Sequence, residues 1–430
     1  MGDARYLAVK LLDKTFGSGS YSNLQLDSGL KNSDLDGREK KLCSAIYYGV
    51  IERKLTLDHI IGGLSSRPVN KLDSIILNIL RCGIYQIMYM DSVPDNAAVN
   101  ESVALAKKFR KTSASGMVNA VLRNFIRGGR EIKLPKDREK ALSVKYSAPV
   151  ALVRSLSSDY GSEAAEKFLA ASLEKNVTYI RRNAIRCTEE ELLGALEGMG
   201  AGKVMDCCYS ISSGDAASTE AFRNGWFHVQ GLASQLCCLS LAPTEEDRVL
   251  DICAAPGGKT FTMAELMGGK GEIYAFDLHE KRAELIRRGA ERLGLTNIRA
   301  AAGDAAKFNP GLPEFTRILC DVPCSGLGVI GSKPEIKYKD ISDFAGLPDI
   351  QYKIVCNALN YLGAGGTLVY STCTVRRAEN EEVCERLLRE HPEVEAVELP
   401  PMLGRSFGTM ATLMPPDFGS GFFIAKFRKK

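Results

Sequence analysis

Two cysteines in this chain stand where a thiol could do covalent chemistry. Cys324 closes the run Asp321-Val-Pro-Cys324, just past the apolar segment Arg317-Ile-Leu-Cys-Asp321. Cys373 follows Ser371-Thr372, just past Gly366-Thr-Leu-Val-Tyr-Ser371. A thiolate adds readily to an electron-poor carbon, and a second thiol or a carboxylate beside it can handle the accompanying proton. A lone cysteine behind a strand is more often just a small buried hydrophobe. Two of them, with Asp321 alongside, favour chemistry.

A third segment, Val249-Leu-Asp-Ile-Cys-Ala-Ala-Pro-Gly-Gly-Lys-Thr260, reads as a strand, a turn of small residues and a helix starting near Thr260. Small side chains let a backbone approach a ligand closely at the carboxyl end of a strand. The ending Gly258-Lys259-Thr260 imitates a phosphate-binding loop. That loop needs a glycine five positions before Gly258, where Cys253 stands, so a nucleotide triphosphatase is disfavoured. The next apolar strand, Glu272-Ile-Tyr-Ala-Phe-Asp277, ends in an acid one strand–helix–strand step beyond Asp251. An acid there reaches the ribose hydroxyls of an adenosine-containing cofactor. Gly303-Asp304 follows a further apolar segment and could reach the adenine end.

These segments need a scaffold. From about residue 240, short apolar strands alternate with helices such as Arg282 to Leu293, the pattern of a doubly wound, mostly parallel α/β sheet. In a parallel sheet Cys324 and Cys373 face one carboxyl-end crevice. Residues 146–235 read as a small α+β domain. It holds a strand from Tyr179 to Ile185, a helix opened by a Thr188/Glu191 capping box, a strand from Val204 to Cys208, and a β-like Phe227-His-Val-Gln230 beside Trp226. Residues 1–145 carry apolar side chains at helical spacing, among them Ile75, Ile79, Ile84 and Ile87, and read as an all-α domain in which Ser74 caps a helix. The expected architecture is multidomain: 1–145 helical, 146–235 α+β, 236–430 α/β.

The composition suits such a chain, with 45% apolar and 25% charged residues. The net charge of +4 hides an asymmetry. Residues 107–145 hold twelve Lys or Arg against Glu131, Asp137 and Glu139, which is +9 and leaves −5 for the remainder. That points to a polyanion-binding face, the alternative being a solvated helical surface. The 13 cysteines include no C-x-x-C pair, and His59, His228, His279 and His391 are scattered, so neither a disulfide framework nor a metal site is expected. Reduced thiols suit the cytoplasm. The most apolar stretch, Ile75 to Met90, is interrupted by Asn78 and Arg81, and Met1-Gly-Asp-Ala-Arg shows no signal-peptide pattern.

Taken together, residues 249–260, 277, 303–304, 321–328 and 371–381 resemble the successive motifs of the RNA cytosine-C5 methyltransferases. Within them the chain is most similar to the bacterial 16S rRNA cytosine-C5 methyltransferase family, the Sun/Fmu type, and its N-terminal part resembles the NusB RNA-binding fold. The resemblance implies a Rossmann-like domain that binds S-adenosyl-L-methionine along Cys253, Ala254, Ala255, Pro256, Gly257, Gly258 and Lys259, with Asp277, Asp304 and Asp321 completing the site. It implies Cys373 as nucleophile, Cys324 as the thiol that assists release, Asp321 on the N3/N4 edge of the base with a raised pKa, and Lys259 supporting them. RNA, most expectedly 16S rRNA, is the implied partner. The chain departs from the family at Pro415-Pro-Asp-Phe-Gly-Ser-Gly-Phe-Phe423, where His and Asp are more usual, and at Ser147 to Ser158, which lacks tryptophans. A DNA cytosine methyltransferase with Cys324 as nucleophile, a tRNA substrate, and a non-catalytic RNA-binding assembly factor remain open at this point.

Overall fold

The computed structural model describes residues 3–18, 22–174 and 177–430; Met1 and Gly2, where the signal-peptide reading begins, lie outside them. The chain forms two compact units, one of residues 1–173 with 333–339 and one of residues 174–332 with 340–430.

The first unit is helical. Its α-helices are α1 (Ala4–Ser18), α2 (Ser22–Lys31), α3 (Gly37–Glu52), α4 (Lys54–Leu64), α5 (Ser74–Tyr89), α6 (Asp95–Lys108), α7 (Ser115–Arg127), α8 (Arg138–Tyr146), α9 (Val150–Tyr160) and α10 (Ser162–Ala171). Apolar faces of α1 and α3 to α7 meet in one core around Leu12, Ile46, Val50, Ile79 and Leu122. The cap of α5 is Asp73 rather than Ser74: its carboxylate accepts the amides of Ile75 at 3.1 Å and Ile76 at 3.3 Å. A carboxylate there satisfies free donors and meets the positive end of the helix dipole. On α7 the buried Val118, Val121, Leu122 and Phe125 lie opposite exposed Arg123 and Arg127. Part of the basic segment is neutralised locally, through Lys108–Asp3, Lys111–Asp73, Arg130–Asp95 and Lys145–Glu166 pairs.

Residues 333–339 join this unit from far along the sequence. Lys337 is 2% exposed, and its Nζ donates to the Glu52 carbonyl at 2.7 Å. Tyr338 Oη donates to the Ile51 carbonyl at 2.7 Å and lies 3.0 Å from Ser147 Oγ. Burial pushes the Lys337 ammonium down to about 7, against the attraction of Glu52.

The second unit holds two sheets. The smaller is antiparallel, ordered β2–β3–β1–β4, from β1 (Thr178–Arg182), β2 (Ala201–Met205), β3 (Cys208–Ile211) and β4 (Phe227–Val229), with α11 (Glu189–Ala195) and α12 (Glu220–Arg223) between them. The Thr188/Glu191 capping box is formed as expected. The segment expected as one strand over Val204–Cys208 is instead a hairpin: Met205 pairs with Cys208 across a turn in which Cys207 has φ +58°. Strand β1 stops at Arg182 because Asn183 turns inward, donating to the Gly225 and Leu293 carbonyls.

The larger sheet follows α13 (Leu232–Leu241). Its strands are β5 (Arg248–Asp251), β6 (Glu272–Asp277), β7 (Ile298–Ala302), β8 (Phe315–Asp321), β9 (Leu362–Thr372), β10 (Val394–Ala396), β11 (Met410–Leu413) and β12 (Phe422–Lys429), joined by α14 (Gly258–Leu266), α15 (Glu280–Leu293), α16 (Leu347–Leu359) and α17 (Glu381–Glu390). The order is β10–β12–β9–β8–β5–β6–β7. Strands β5 to β9 are parallel, and β12 is antiparallel against β9.

The sequence-drawn boundaries at 145 and 235 differ from these compact units. Helices α9 and α10 extend the helical unit to Leu173. The small sheet shares a core with the large one, since Cys208 packs in the cluster of Leu232, Val249 and Met263. A buried Arg181–Glu265 pair at 2.9 Å and a Thr262 Oγ1 to Gln230 Oε1 bond at 2.6 Å tie the two further. Among the described residues no helix is long and apolar enough to cross a membrane.

Candidate active site

Strands β8 and β9 are parallel neighbours, with Asp321 in register with Ser371. Their loops therefore leave the sheet side by side, and the Cys324 and Cys373 sulfurs lie 3.3 Å apart. Both are partly exposed and neither is in a disulfide, as opposed to the buried Cys320 and Cys384. The hydrogen bond to Cys373, and then burial, push the Cys324 thiol well above its ordinary range.

Asp321 is engaged by both oxygens: Oδ2 accepts from Lys259 Nζ and Oδ1 from Ser371 Oγ, each at 2.8 Å. The sequence expectation was a protonated, donating Asp321. Here it acts as an acceptor, because Lys259 projects from the start of α14 straight onto it. Burial disfavours the Lys259 charge, but the attraction and hydrogen bond of Asp321, together with Cys237 and Cys238, hold the ammonium above its ordinary range.

The two cysteine loops are fastened by residues to which the sequence reading assigned no role, most of them inside the segments 321–328 and 371–381. Buried Glu379 accepts from the Ser325 amide at 2.8 Å, from Gln351 Nε2 at 3.0 Å and from Arg376 at 3.1 Å. Gln351 also donates to the Pro323 carbonyl at 2.9 Å. Ser325 and Thr374 share a hydroxyl contact of 2.7 Å, and Asn380 accepts from Thr372 Oγ1 at 2.6 Å while donating to the Thr374 carbonyl at 3.1 Å. Their signal in the sequence is the adjacent polar pair Glu379-Asn380 at the end of the segment 371–381, with nothing to mark Gln351.

Because β5 to β9 are parallel, the other candidates reach the same edge of the sheet. In the turn Cys253 to Lys259, the Ala254 amide bonds the Phe276 carbonyl at 2.7 Å. Gly257 has φ +109°, and a Cβ there would stand 2.4 Å from the Phe261 ring, so a side chain does not fit. Asp251 beneath the turn is fully buried. One of its oxygens accepts from Thr260 at 2.7 Å and the other has no protein partner. Burial pushes this carboxyl up to about 7 despite the Thr260 bond.

Asp277 ends β6, is 4% exposed and pairs with Arg282 at 3.2 Å. Arg282 also donates to the Ala255 carbonyl at 2.8 Å, linking the β6 terminus to the turn. Its sequence signal is only that of a helical residue. Asp304 follows β7. The Ala306 amide, then Lys307, hold its carboxyl below the usual range. Beside it a cavity of about 240 Å³ is lined by Ile252, Phe276, Gly303, Phe308 and Tyr361, with Phe308 stacked on Tyr361 at 5.0 Å. No cluster suited to a metal ion occurs among the described residues.

A mostly parallel sheet with an antiparallel β12, a small-residue turn after β5 and an acid at the end of β6 defines a Rossmann-like methyltransferase. Residues 238–428 match the family described as 16S rRNA methyltransferase RsmB/F, and residues 2–127 match the NusB family. The chain is 36% identical over 442 residues to a probable ribosomal RNA small subunit methyltransferase B of Bacillus subtilis (strain 168), covering 99% of this chain and 98% of that protein. It is 33% identical to a protein of the same description from Synechocystis sp., each chain being covered in full. The crystal structure of PH0851 shares the fold along 100% of this chain and 99% of its own, with TM-score 0.81 at 23% identity. The chain thus belongs to the RsmB/F family of small-subunit ribosomal RNA methyltransferases, with a NusB-type helical region at its N-terminal side.

Proposed function

We propose that this protein transfers a methyl group from S-adenosyl-L-methionine to C5 of a cytosine in RNA, through a covalent bond between Cys373 and C6 of the base. The observation that carries the reading is the pair of thiols 3.3 Å apart at the ends of adjacent parallel strands, beside an ion-paired Asp321. The relatives' names point to 16S rRNA as the substrate. Such a substrate would place the reaction in the cytoplasm.

C5 of cytosine is a poor nucleophile until C6 is saturated. Cys373 forms the S–C6 bond, the electron pair moves toward N3, and N3 takes a proton from the Lys259–Asp321 pair, which also accepts from the N4 amine. C5 then bonds the methyl carbon as the sulfonium–methyl bond breaks, and N3 returns its proton. In the last step C5 loses its proton to Cys324 as the proton that Cys324 carried passes to the departing Cys373 sulfur, and the S–C6 bond breaks. The surplus proton leaves to solvent.

The residues present fit the methyl donor. Its sulfonium supplies an electrophilic methyl. The turn Cys253–Lys259 would hold the methionine end, Asp277 the ribose hydroxyls, and the cavity beside Asp304 the flat adenine; the unpartnered Asp251 oxygen leaves an acceptor free beneath the turn. The target base must be extruded or already unpaired to reach the thiols.

The test is adduct trapping. Cys324→Ala should add to RNA and methylate it, then stall as a protein–RNA species that survives denaturing electrophoresis; Cys373→Ala should form none. Sequencing the trapped RNA names the target base. The inverse pattern would assign the attack to Cys324, and no adduct from either variant of an active enzyme would end the two-thiol mechanism.

A further inference from the structure

The pairing of the two sulfurs is not a property of the cysteines alone. Cys324 is gripped on both sides: the carbonyl before it, of Pro323, accepts from Gln351, and the amide after it, of Ser325, donates to Glu379. One Glu379 oxygen accepts from both Ser325 and Gln351, so a single carboxylate closes a ring around the Cys324 peptide units. Glu379 is itself anchored in the loop that follows Cys373. Its carbonyl accepts the Tyr370 hydroxyl at 2.6 Å, from the same strand β9 that delivers Cys373. Its neighbour Asn380 clamps Thr372 and Thr374, the residues on either side of Cys373. The two thiol loops are thereby registered to each other through one fully buried acid.

We propose that Glu379 is a positioning residue for the methyl-transfer reaction, fixing the Cys324 thiol against Cys373 and making Cys324 the sulfur that receives the C5 proton at product release. The assignment rests on the two-thiol reading above. Geometry carries it: the carboxylate is 0% exposed, it accepts the Ser325 amide of the Cys324 loop directly, and it accepts from Gln351 of α16, which in turn donates to the Pro323 carbonyl on the other side of Cys324. Electrostatics agrees. After the Cys373 bond, burial and the charge of Cys373, the negative charge of Glu379 adds to the forces that keep the proton on Cys324. The other charged group on Glu379 is Arg376, whose guanidinium balances the carboxylate from the side of the Cys373 loop. The buried acid has three donors and cannot be replaced by an apolar side chain without leaving the Ser325 amide unpaired.

Glu379→Gln keeps size and one acceptor oxygen for Ser325 and Gln351, but removes the charge and turns an amide donor toward Arg376. In the full-length protein, RNA KM and S-adenosyl-L-methionine affinity should stay within about twofold. The value of kcat should fall roughly 10²-fold, the low end of what a positioned acid–base group contributes. The denaturation-resistant RNA adduct should accumulate during turnover, as with Cys324→Ala. Glu379→Asp should recover part of kcat. A residue that merely supports the fold would lower adduct and product together, and that result, or an unchanged kcat, overturns the proposal. Should Glu379→Gln fail to fold, Gln351→Leu removes the amide that joins Glu379 to Pro323 and should likewise raise the adduct; a lower adduct counts against the proposal. The outcomes separate the two claims. If Cys324→Ala itself traps nothing, the two-thiol reading has failed; if it traps RNA while neither Glu379→Gln nor Gln351→Leu does, only the role of Glu379 has.

Discussion

Replacing Lys337 by methionine should make the helical unit more stable at neutral pH. An amine in the unfolded chain titrates near ~10.4, whereas burial brings Lys337 down to about 7 in the folded protein. Above the unfolded value both states are neutral and nothing is lost. As pH falls through the window from ~10.4 to about 7, the unfolded chain takes up a proton that the folded one refuses, and the penalty grows until it levels off below the folded value. At ~1.4 kcal/mol per unit the full window is worth on the order of 4–5 kcal/mol, an upper figure because Glu52 titrates with it. Methionine fills similar space without charge. It gives up the bond to the Glu52 carbonyl, worth about 1 kcal/mol, although that carbonyl still accepts from Tyr338 at 3.1 Å. The net expectation is about 3 kcal/mol of added stability at pH 6–7, shrinking toward zero or slightly below by pH 10. Far-UV circular dichroism on heating at several pH values reads the helices, while Trp226, the only tryptophan, lies in the second unit and serves as an internal control. Equal or lower stability at pH 7, or an advantage that does not shrink toward pH 10, would refute the reasoning.

Three further outcomes are expected. Asp73→Ala should cost the helical unit about 1 kcal/mol through loss of the α5 cap, and Ser74→Ala close to nothing, as read by denaturant titration. Asp277→Ala should weaken S-adenosyl-L-methionine binding by about tenfold or more, since a hydrogen bond to a charged acceptor is worth ~1.5–3 kcal/mol; calorimetry showing unchanged affinity removes Asp277 from the site. Changing Arg123, Arg127 and Arg130 to Gln should flatten the salt dependence of RNA binding by about 0.7–0.9 in logarithmic slope for each phosphate that is no longer neutralised, and an identical slope would mean that this face does not touch RNA.

What the sequence disclosed was local or strand-terminal. The Thr188/Glu191 box is an i, i+3 signature and formed as read. Glu272 to Asp277 was legible to the residue because a buried parallel strand is a short apolar run with a polar end. Asp73 and Ser74 are both good caps, and adjacent candidates cannot be ranked by type alone. The hairpin at Cys207 escapes a sequence reading because no Asn-Gly or Asp-Gly marks its turn. Glu379, Gln351 and Arg282 act across loops whose proximity depends on strand order, which spacing does not reveal. Lys337 sits in a stretch that reads as polar loop, and its burial is decided by helices nearly 300 positions earlier.

The strand order has an evolutionary consequence. Beginning at β5, the sheet grows in two directions: β6 and β7 on one flank, β8 and β9 on the other. Under the proposed reading, the donor's contacts hang from β5, β6 and β7, whereas both thiols and Asp321 hang from β8 and β9. Mutation of the loops after β8 and β9 can therefore explore new acceptor atoms while the half that grips the donor is inherited intact, Lys259 being the one residue that serves both. A lineage built on this sheet can change what it methylates without relearning where the methyl comes from.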